Sequence, residues 1–262
     1  MIRLILLREI EMRLLVLAAM MMAGCSSSYR LSPHRPTSRW ALVAGPFSII
    51  QGIESLTPEQ ARGIHHGRVM TLYLPDLRTI DKRVAAALAE TKATSLHLCG
   101  LEDLDVPSAT ELAKYSSAAD HVLCLDGLVQ ARPEVLEALV KTKKGLSLNG
   151  LRELDGRGIK ALGSSTLQHL ELGGIRRFNA QAAAELRFLQ AKFCYLHGVE
   201  DLSLPATQAL VKSKIGSLTL TGLRKIDPQV AAVLASWERG GKDLMVHPSI
   251  RRIIDQANKK HQ

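Results

Sequence analysis

Short stretches in which apolar and polar residues alternate recur along this chain at a nearly constant interval. Each stretch places two apolar residues two positions apart, as in Leu96 and Leu98 or Leu218 and Leu220. Successive side chains of a β-strand point to opposite faces, so this period of two predicts a strand with one buried face. The same pattern is found at Leu72/Leu74, Leu123/Leu125, Leu146/Leu148, Leu170/Leu172 and Cys194/Leu196, and in a weaker form at Ser48/Ile50.

A turn residue follows each predicted strand, and it is nearly always glycine. These residues are Gly52, Asp76, Gly100, Gly127, Gly150, Gly174, Gly198 and Gly222. Their residue numbers differ by 24, 24, 27, 23, 24, 24 and 24. Such a fixed period is typical of a solenoid. Glycine readily adopts positive φ, so we predict a left-handed backbone conformation at this turn.

A helix is predicted after each turn. Side chains that can accept a hydrogen bond from the first helical turn recur at Thr57, Asp81, Asp105, Asp155, Asn179, Ser203 and Asp227. Pro58, Pro133 and Pro228 fit the first helical position, where no N–H is needed, whereas Arg132 interrupts the capping pattern. An apolar residue twelve positions after each turn, such as Leu162 or Leu210, would anchor the helix inward. The sequence therefore predicts an α/β fold with a parallel sheet backed by helices.

These units, written L-x-L-x-G-L-x-x-L-(D/T/N)-P-x-x-A-x-x-L, resemble leucine-rich repeats, especially the short repeats of bacterial envelope proteins. The resemblance covers about residues 47–237 and implies a leucine-rich-repeat-like solenoid with one parallel strand and one helix per repeat. The chain departs from the family in one respect, because it has Leu, Ile or Val where the usual repeat has an Asn ladder. We place the solenoid, of about eight units, at residues 38–240. A C-terminal cap follows at 241–262, with an edge strand at Asp243–Val246 and a helix at Pro248–Asn258.

The N-terminus has the three regions of a secretory signal. Arg13 precedes the apolar run Leu14–Met22, and small residues lead to Cys25. This ending resembles a bacterial lipobox, although Met22 stands where Leu is usual. The resemblance implies a lipoprotein signal peptide at residues 1–24 and lipidation of Cys25, followed by a flexible tether at 25–37. An ordinary signal peptide or an N-terminal membrane anchor are the alternatives, and either Met1 or Met12 could be the translation start.

Composition narrows the possible partners. Aromatic residues make up only 4% of the chain, so the core must be built from aliphatic side chains. The net charge of +9 permits binding to an anionic polymer or membrane without requiring it. Four cysteines (Cys25, Cys99, Cys124 and Cys194) show no paired or C-x-x-C spacing, so neither a disulfide framework nor a zinc site is predicted.

Solenoids commonly bind partners on an extended concave sheet, so strand residues between the buried leucines are candidate contacts. Their column comprises Ile49, Tyr73, His97, Cys124, Ser147, Glu171, Tyr195 and Thr219. Tyr73, His97, Glu171 and Tyr195 are the predicted ligand-binding residues, although each could equally be an ordinary solvated position. A basic edge is predicted from Lys141, Lys143, Lys144, Lys212 and Lys214. Cations at helix C-termini are also favoured by the helix dipole, which is the simpler explanation.

No catalytic or metal-binding set emerges from the sequence, and no cofactor is predicted. His65 and His66 are adjacent rather than four apart, and no nucleophile motif is present. We therefore expect a non-enzymatic, lipid-anchored scaffold of the bacterial cell envelope that binds a protein or polysaccharide partner. A structural envelope protein that uses its basic edge on anionic lipid or polysaccharide is the alternative. Nucleic acid is not expected, because no aromatic residues interleave the basic ones. The oligomeric state is left open.

Overall fold

The structure is a computed structural model that describes residues 47–64, 71–115, 122–142 and 144–259. The predicted signal peptide, the tether, Cys25, the His65–His66 pair and Lys143 lie outside the described residues.

Strands and helices alternate through the described part of the chain. The strands are β1 Phe47–Ile49, β2 Thr71–Tyr73, β3 Ser95–His97, β4 Val122–Cys124, β5 Gly145–Ser147, β6 Leu167–Glu171, β7 Ala191–Tyr195, β8 Ser217–Leu220 and β9 Asp243–Val246. The helices are α1 Pro58–Gly63, α2 Lys82–Ala89, α3 Val106–Leu112, α4 Pro133–Leu139, α5 Gly156–Leu162, α6 Ala180–Glu185, α7 Leu204–Val211, α8 Pro228–Arg239 and α9 Pro248–Lys259. Short 3₁₀ turns extend two of them, at Val140–Thr142 and Leu186–Phe188.

The strands form one parallel sheet whose order follows the chain, from β1 to β9. Equivalent residues of successive units are paired, so Leu72 lies beside Leu96 and Leu96 beside Leu123. Each helix packs on the helix of the next unit. The predicted α/β architecture, with one parallel strand and one helix per unit, is confirmed as a solenoid-like repeat.

Leucines at equivalent positions form the core between the sheet and the helices. Leu96, Leu98 and Leu123 of the strands are fully buried, as are the helix anchors Leu162 and Leu210. Burying one such side chain contributes about 1.5–3 kcal/mol. The core is one continuous cluster, because every unit buries its apolar residues against both neighbours.

Side-chain caps begin most of the helices, as predicted. The capping residues whose side chains accept a backbone N–H are Thr57, Asp81, Asp105, Asp155, Asn179 and Ser203. At α5, for example, Asp155 Oδ1 accepts from Gly158 N at 2.7 Å. Arg132 provides no cap, which agrees with the sequence. Asp227 also makes no capping bond, so that prediction was wrong, and α8 begins with Pro228 at its first turn.

The turn glycines are explained by close packing rather than by left-handed backbone. Only Gly52 and Gly241 among the described glycines have positive φ, of 74° and 76°. A Cβ built on Gly150 would collide with the backbone oxygens of Asp126 and Leu128 in the preceding unit. A Cβ would collide in the same way with the backbone of the preceding unit at Gly100, Gly127, Gly174, Gly198 and Gly222. The predicted positive φ was therefore wrong except at Gly52.

The predicted C-terminal cap is a ninth strand–helix unit in the described chain. Strand β9 pairs with β8 in parallel register, and Ile250 and Ile254 of α9 are fully buried. Trp237 Nε1 donates to the Asp243 carbonyl at 3.1 Å, and Lys242 Nζ lies 4.3 Å from the Trp237 ring centroid. These contacts join α8 to β9, which is the last strand of the sheet, so the predicted strand and helix of the cap are both present at this end.

Candidate functional site

The face of the sheet opposite the buried leucines carries a row of side chains in strict register. Register pairs join the members in the order Tyr73, His97, Cys124, Ser147, Glu171, Tyr195 and Thr219. We call this side of the sheet, opposite the buried leucines, the open face. The predicted column of strand residues is thus confirmed as a line that crosses the sheet.

Exposure along this row is uneven. Tyr73, His97, Glu171 and Tyr195 are half-buried, whereas Cys124, Ser147 and Thr219 are buried, with 3–4% of their surface exposed. These three small members of the row therefore offer little surface to a partner. The four residues predicted to bind a ligand are the accessible large members of the row.

Two of these four residues stack on each other at the β2–β3 end of the open face. The ring centroids of Tyr73 and His97 lie 4.2 Å apart, with an interplanar angle of 24°. Residues paired across strands have their Cβ atoms close enough for such contacts. The pair therefore forms a rigid, flat-sided projection on adjacent strands.

A second ring cluster lies on β6 and β7. His169 stacks on Phe193 at 4.9 Å, and Tyr195 lies 6.4 Å from His169 and 5.6 Å from His197. Sequence reasoning identified only Tyr195 as a contact residue. Strands β6 and β7 are five residues long and place His169 and Phe193 beside Glu171 and Tyr195. The alternation of the sequence, extended two residues toward the N-terminus of each strand, could have identified these two rings.

A hydrogen-bonded polar network separates the two ring clusters. Ser147 Oγ lies 2.7 Å from Asp126 Oδ1 and 3.1 Å from Glu171 Oε2. Asn149 Nδ2 donates to Glu171 Oε2 at 2.9 Å, and Asn149 N donates to Asp126 Oδ1 at 2.9 Å. Gly173 N in turn donates to Asn149 Oδ1 at 2.7 Å. The network holds Glu171 in place, so this predicted contact residue also orders the centre of the open face.

Two cysteines that are distant in sequence meet beside the first ring pair. Cys99 Sγ lies 3.3 Å from Cys124 Sγ. A hydrogen bond from the Cys124 thiol and the nearby His97 ring lower the pKa of Cys99 to about 6, despite its partial burial. The same hydrogen bond and burial raise the pKa of Cys124. The spacing of the cysteines in the sequence did not predict this contact, because the two residues lie 25 positions apart and meet only when β3 pairs with β4. Cys194 is buried, which raises its pKa to about 12.

The described lysines of the predicted basic edge fall into two groups along the sheet. Lys141, Lys212 and Lys214 are exposed and Lys144 is half-buried. Lys141 and Lys144 precede β5, and Lys212 and Lys214 precede β8. Three strand spacings, about 14 Å, separate these two groups. Glu185 lies between them and pairs with Lys160 and Arg187 at 3.4 and 3.8 Å. The exposed Lys192 on β7 lies between the two groups, so the basic edge stays a prediction.

A shallow groove of about 980 Å³ follows the carboxyl ends of the central strands. Its lining includes Asp126 and Asn149 of the polar network and the charged residues Arg152, Arg177 and Glu200. Ion pairs between successive units join neighbouring turns along this edge. Arg78 pairs with Glu102 at 2.5 Å, and Arg176 with Glu200 at 3.5 Å.

Comparison with known protein families and with curated proteins finds no match to this chain. Within the described ranges, none of the helices combines the length and apolar character needed to cross a bilayer.

Proposed function

We propose that this protein is a non-catalytic, leucine-rich-repeat-like scaffold, anchored by a lipid at Cys25 in a bacterial cell envelope, that binds a protein or polysaccharide partner on its open face. The observation that carries the proposal is the arrangement of the open face, where ring clusters on β2–β3 and β6–β7 flank an ordered polar network. The anchor rests on the Ala23-Gly24-Cys25 ending of the apolar N-terminal run.

The dimensions of the open face favour an extended partner. Strands β2 and β7 are separated by five strand spacings, or about 24 Å. Rings that stack on their neighbours lose little conformational freedom on binding, and aromatic side chains are enriched at binding hot spots. The polar network between them is already ordered, so a partner would meet preformed donors and acceptors.

The repeat itself supplies the mechanism. Each unit contacts only its neighbours, which makes the array stiff along its axis and keeps the two ring clusters at a constant separation. A Ser- and Pro-containing tether at residues 25–37 would let this rigid surface search the space near the membrane. Binding, rather than chemistry on the partner, is the role that this arrangement suits.

Site-directed photo-crosslinking in living cells tests the binding face. A photoreactive amino acid at position 195, on the open face, is expected to give a discrete high-mass adduct, and the same group at exposed Arg252 on α9 is not. Adduct loss on adding Tyr73→Ala would extend the contact to the first ring pair. Equal labelling from both positions, or none from position 195, would count against the open face.

The anchor is tested separately by intact mass and membrane fractionation. The mature protein is expected to begin at Cys25, to carry acyl groups, and to sediment with membranes. The Cys25→Ala variant is expected to lack the acyl mass and the cleavage before residue 25. A mature chain cleaved at another residue would contradict the lipid anchor. The proposed binding face would then be tested by crosslinking alone.

The alternative, a structural protein that holds anionic lipid or polysaccharide through its basic edge, is less well supported, because the helix dipole already favours cations at helix C-termini. Sedimentation with anionic vesicles is its direct test. Salt-sensitive binding that is abolished by Lys141→Glu with Lys144→Glu would favour this role over partner binding.

A further inference from the structure

Three side chains with metal-binding chemistry converge at one end of the open face. His97 lies on β3, Cys99 follows two residues later, and Cys124 lies on β4 in register with His97. The ring nitrogen and the two sulfurs all lie within 4.8 Å of one another. The period of two places His97 and Cys99 on the same side of the strand, and the register brings Cys124 beside them.

The distances suit a single ion. Zinc binds thiolate sulfur at about 2.3 Å in tetrahedral geometry, which places two sulfur ligands about 3.8 Å apart. The Cys99 and Cys124 sulfurs, now 3.3 Å apart, would need to separate by only about half an ångström. Thiolate and imidazole together are the ligands preferred by Zn²⁺ and Cu⁺, whereas Mg²⁺ and Ca²⁺ prefer oxygen.

The surroundings also suit a bound cation. Cys124 is buried, with 3% of its surface exposed, while His97 and Cys99 are half-buried and face the open side. Tyr73 stacks on the His97 ring at 4.2 Å, which restrains the imidazole plane. Asp126 lies close enough to act electrostatically on both thiols, so it would add negative charge beside the ion.

We propose that His97, Cys99 and Cys124 bind one thiophilic metal ion, Zn²⁺ or Cu⁺, as a three-ligand Cys₂His site that is open to the sheet face. This inference does not depend on the proposed partner or on the lipid anchor. An ion with three protein ligands keeps a coordination position for solvent or for a group of a bound molecule.

Metal titration of the full chain, reduced and freed of metal by a chelator, tests the site. Zn²⁺ in competition with a chromophoric chelator, and Cu⁺ in competition with a cuprous chelator, report affinity and stoichiometry in separate arms. One equivalent bound in either arm is expected, and the two arms give the affinity of the site for each ion. Co²⁺ in place of Zn²⁺ should add sulfur-to-metal charge-transfer absorption if both thiolates are ligands.

Matched variants locate the ligands. Cys99→Ser, Cys124→Ala and His97→Gln are each expected to weaken binding about 100-fold or more, because each removes one of three ligands. Cys194→Ala and Cys25→Ala keep the cluster and should bind like the parent chain. Cys99 and His97 are half-buried, so their variants should keep the parent melting profile by circular dichroism even if Cys124→Ala does not.

Three outcomes would overturn the proposal. The first is absence of stoichiometric binding in both arms. The second is binding that survives Cys99→Ser and His97→Gln but is lost in Cys25→Ala. The third is a reduced chain that binds no metal and, on exposure to air, forms a Cys99–Cys124 disulfide found by mass spectrometry, which would make the cysteines a redox pair instead.

Discussion

The two faces of the sheet use alternate residues of the same strands, yet their chemistry differs throughout. On the covered face, Leu96 and Leu98 are repeated almost unchanged in the neighbouring strands. On the open face, His97 and Cys99 give way to Cys124 and Asp126 one unit later. The covered side chains must fit the same space between sheet and helix in every unit. The side chains of the open face only have to avoid clashes with adjacent side chains. Stability is therefore concentrated on one face, and chemical variety on the other.

Adjacent residues of β6 provide the strongest test of this difference. Leu170→Ala empties a fully buried position and is expected to lower the free energy of unfolding by about 2–5 kcal/mol. Glu171→Gln, one residue later on the open face, keeps the shape of the side chain and should cost about 1 kcal/mol or less. Urea denaturation followed by circular dichroism measures both. Similar losses for the two variants would remove the distinction between the faces.

The turn glycines test whether close coil packing supports both faces. Gly150→Ala would drive a methyl group into the backbone oxygens of Asp126 and Leu128, with an expected loss of about 1–3 kcal/mol. Gly63→Ala, at the end of α1, has open space around its Cβ and should be neutral or stabilising by up to about 1 kcal/mol. The melting temperatures of the two variants are compared. A Gly150→Ala variant that melts like the parent chain would show that successive units can move apart.

The Tyr73–His97 pair gives a smaller effect on the open face. A double-mutant cycle with Tyr73→Ala and His97→Ala is expected to yield a coupling free energy of about 0.5–1.5 kcal/mol, as for other stacked rings. Chemical denaturation of the four proteins provides the measurement. A coupling of several kcal/mol would mean that the open face helps to specify the fold.

The smallest effect is expected for the ion pair between Arg78 and Glu102. Both side chains are largely exposed, at 59% and 69%, so their coupling should be about 0–1 kcal/mol and should shrink as salt is added. The cycle of Arg78→Ala and Glu102→Ala, measured at low and high salt, checks this. A coupling that does not respond to salt would argue that the pair is shielded by the groove.

The repeating unit was predictable because its signals are local. The period of two in Leu96 and Leu98, and the cap at Asp155 followed by an amphipathic segment, act over a few residues. The role of the turn glycines was not predictable, because a neighbouring unit decides it. Gly150 is required by the carbonyls of the preceding unit, whereas the missing capping bond of Asp227 has no structural explanation.

The sequence by itself determined the order of strand and helix, the covered leucines and the candidate residues of the open face. Only the tertiary structure decided which of those residues touch. Asp126 meets Asn149 because the parallel register pairs equivalent residues of successive units, whereas Cys99 meets Cys124 on a diagonal, since the register partner of Cys124 is His97. No local pattern encodes such a diagonal contact, since it depends on how whole units pack on one another.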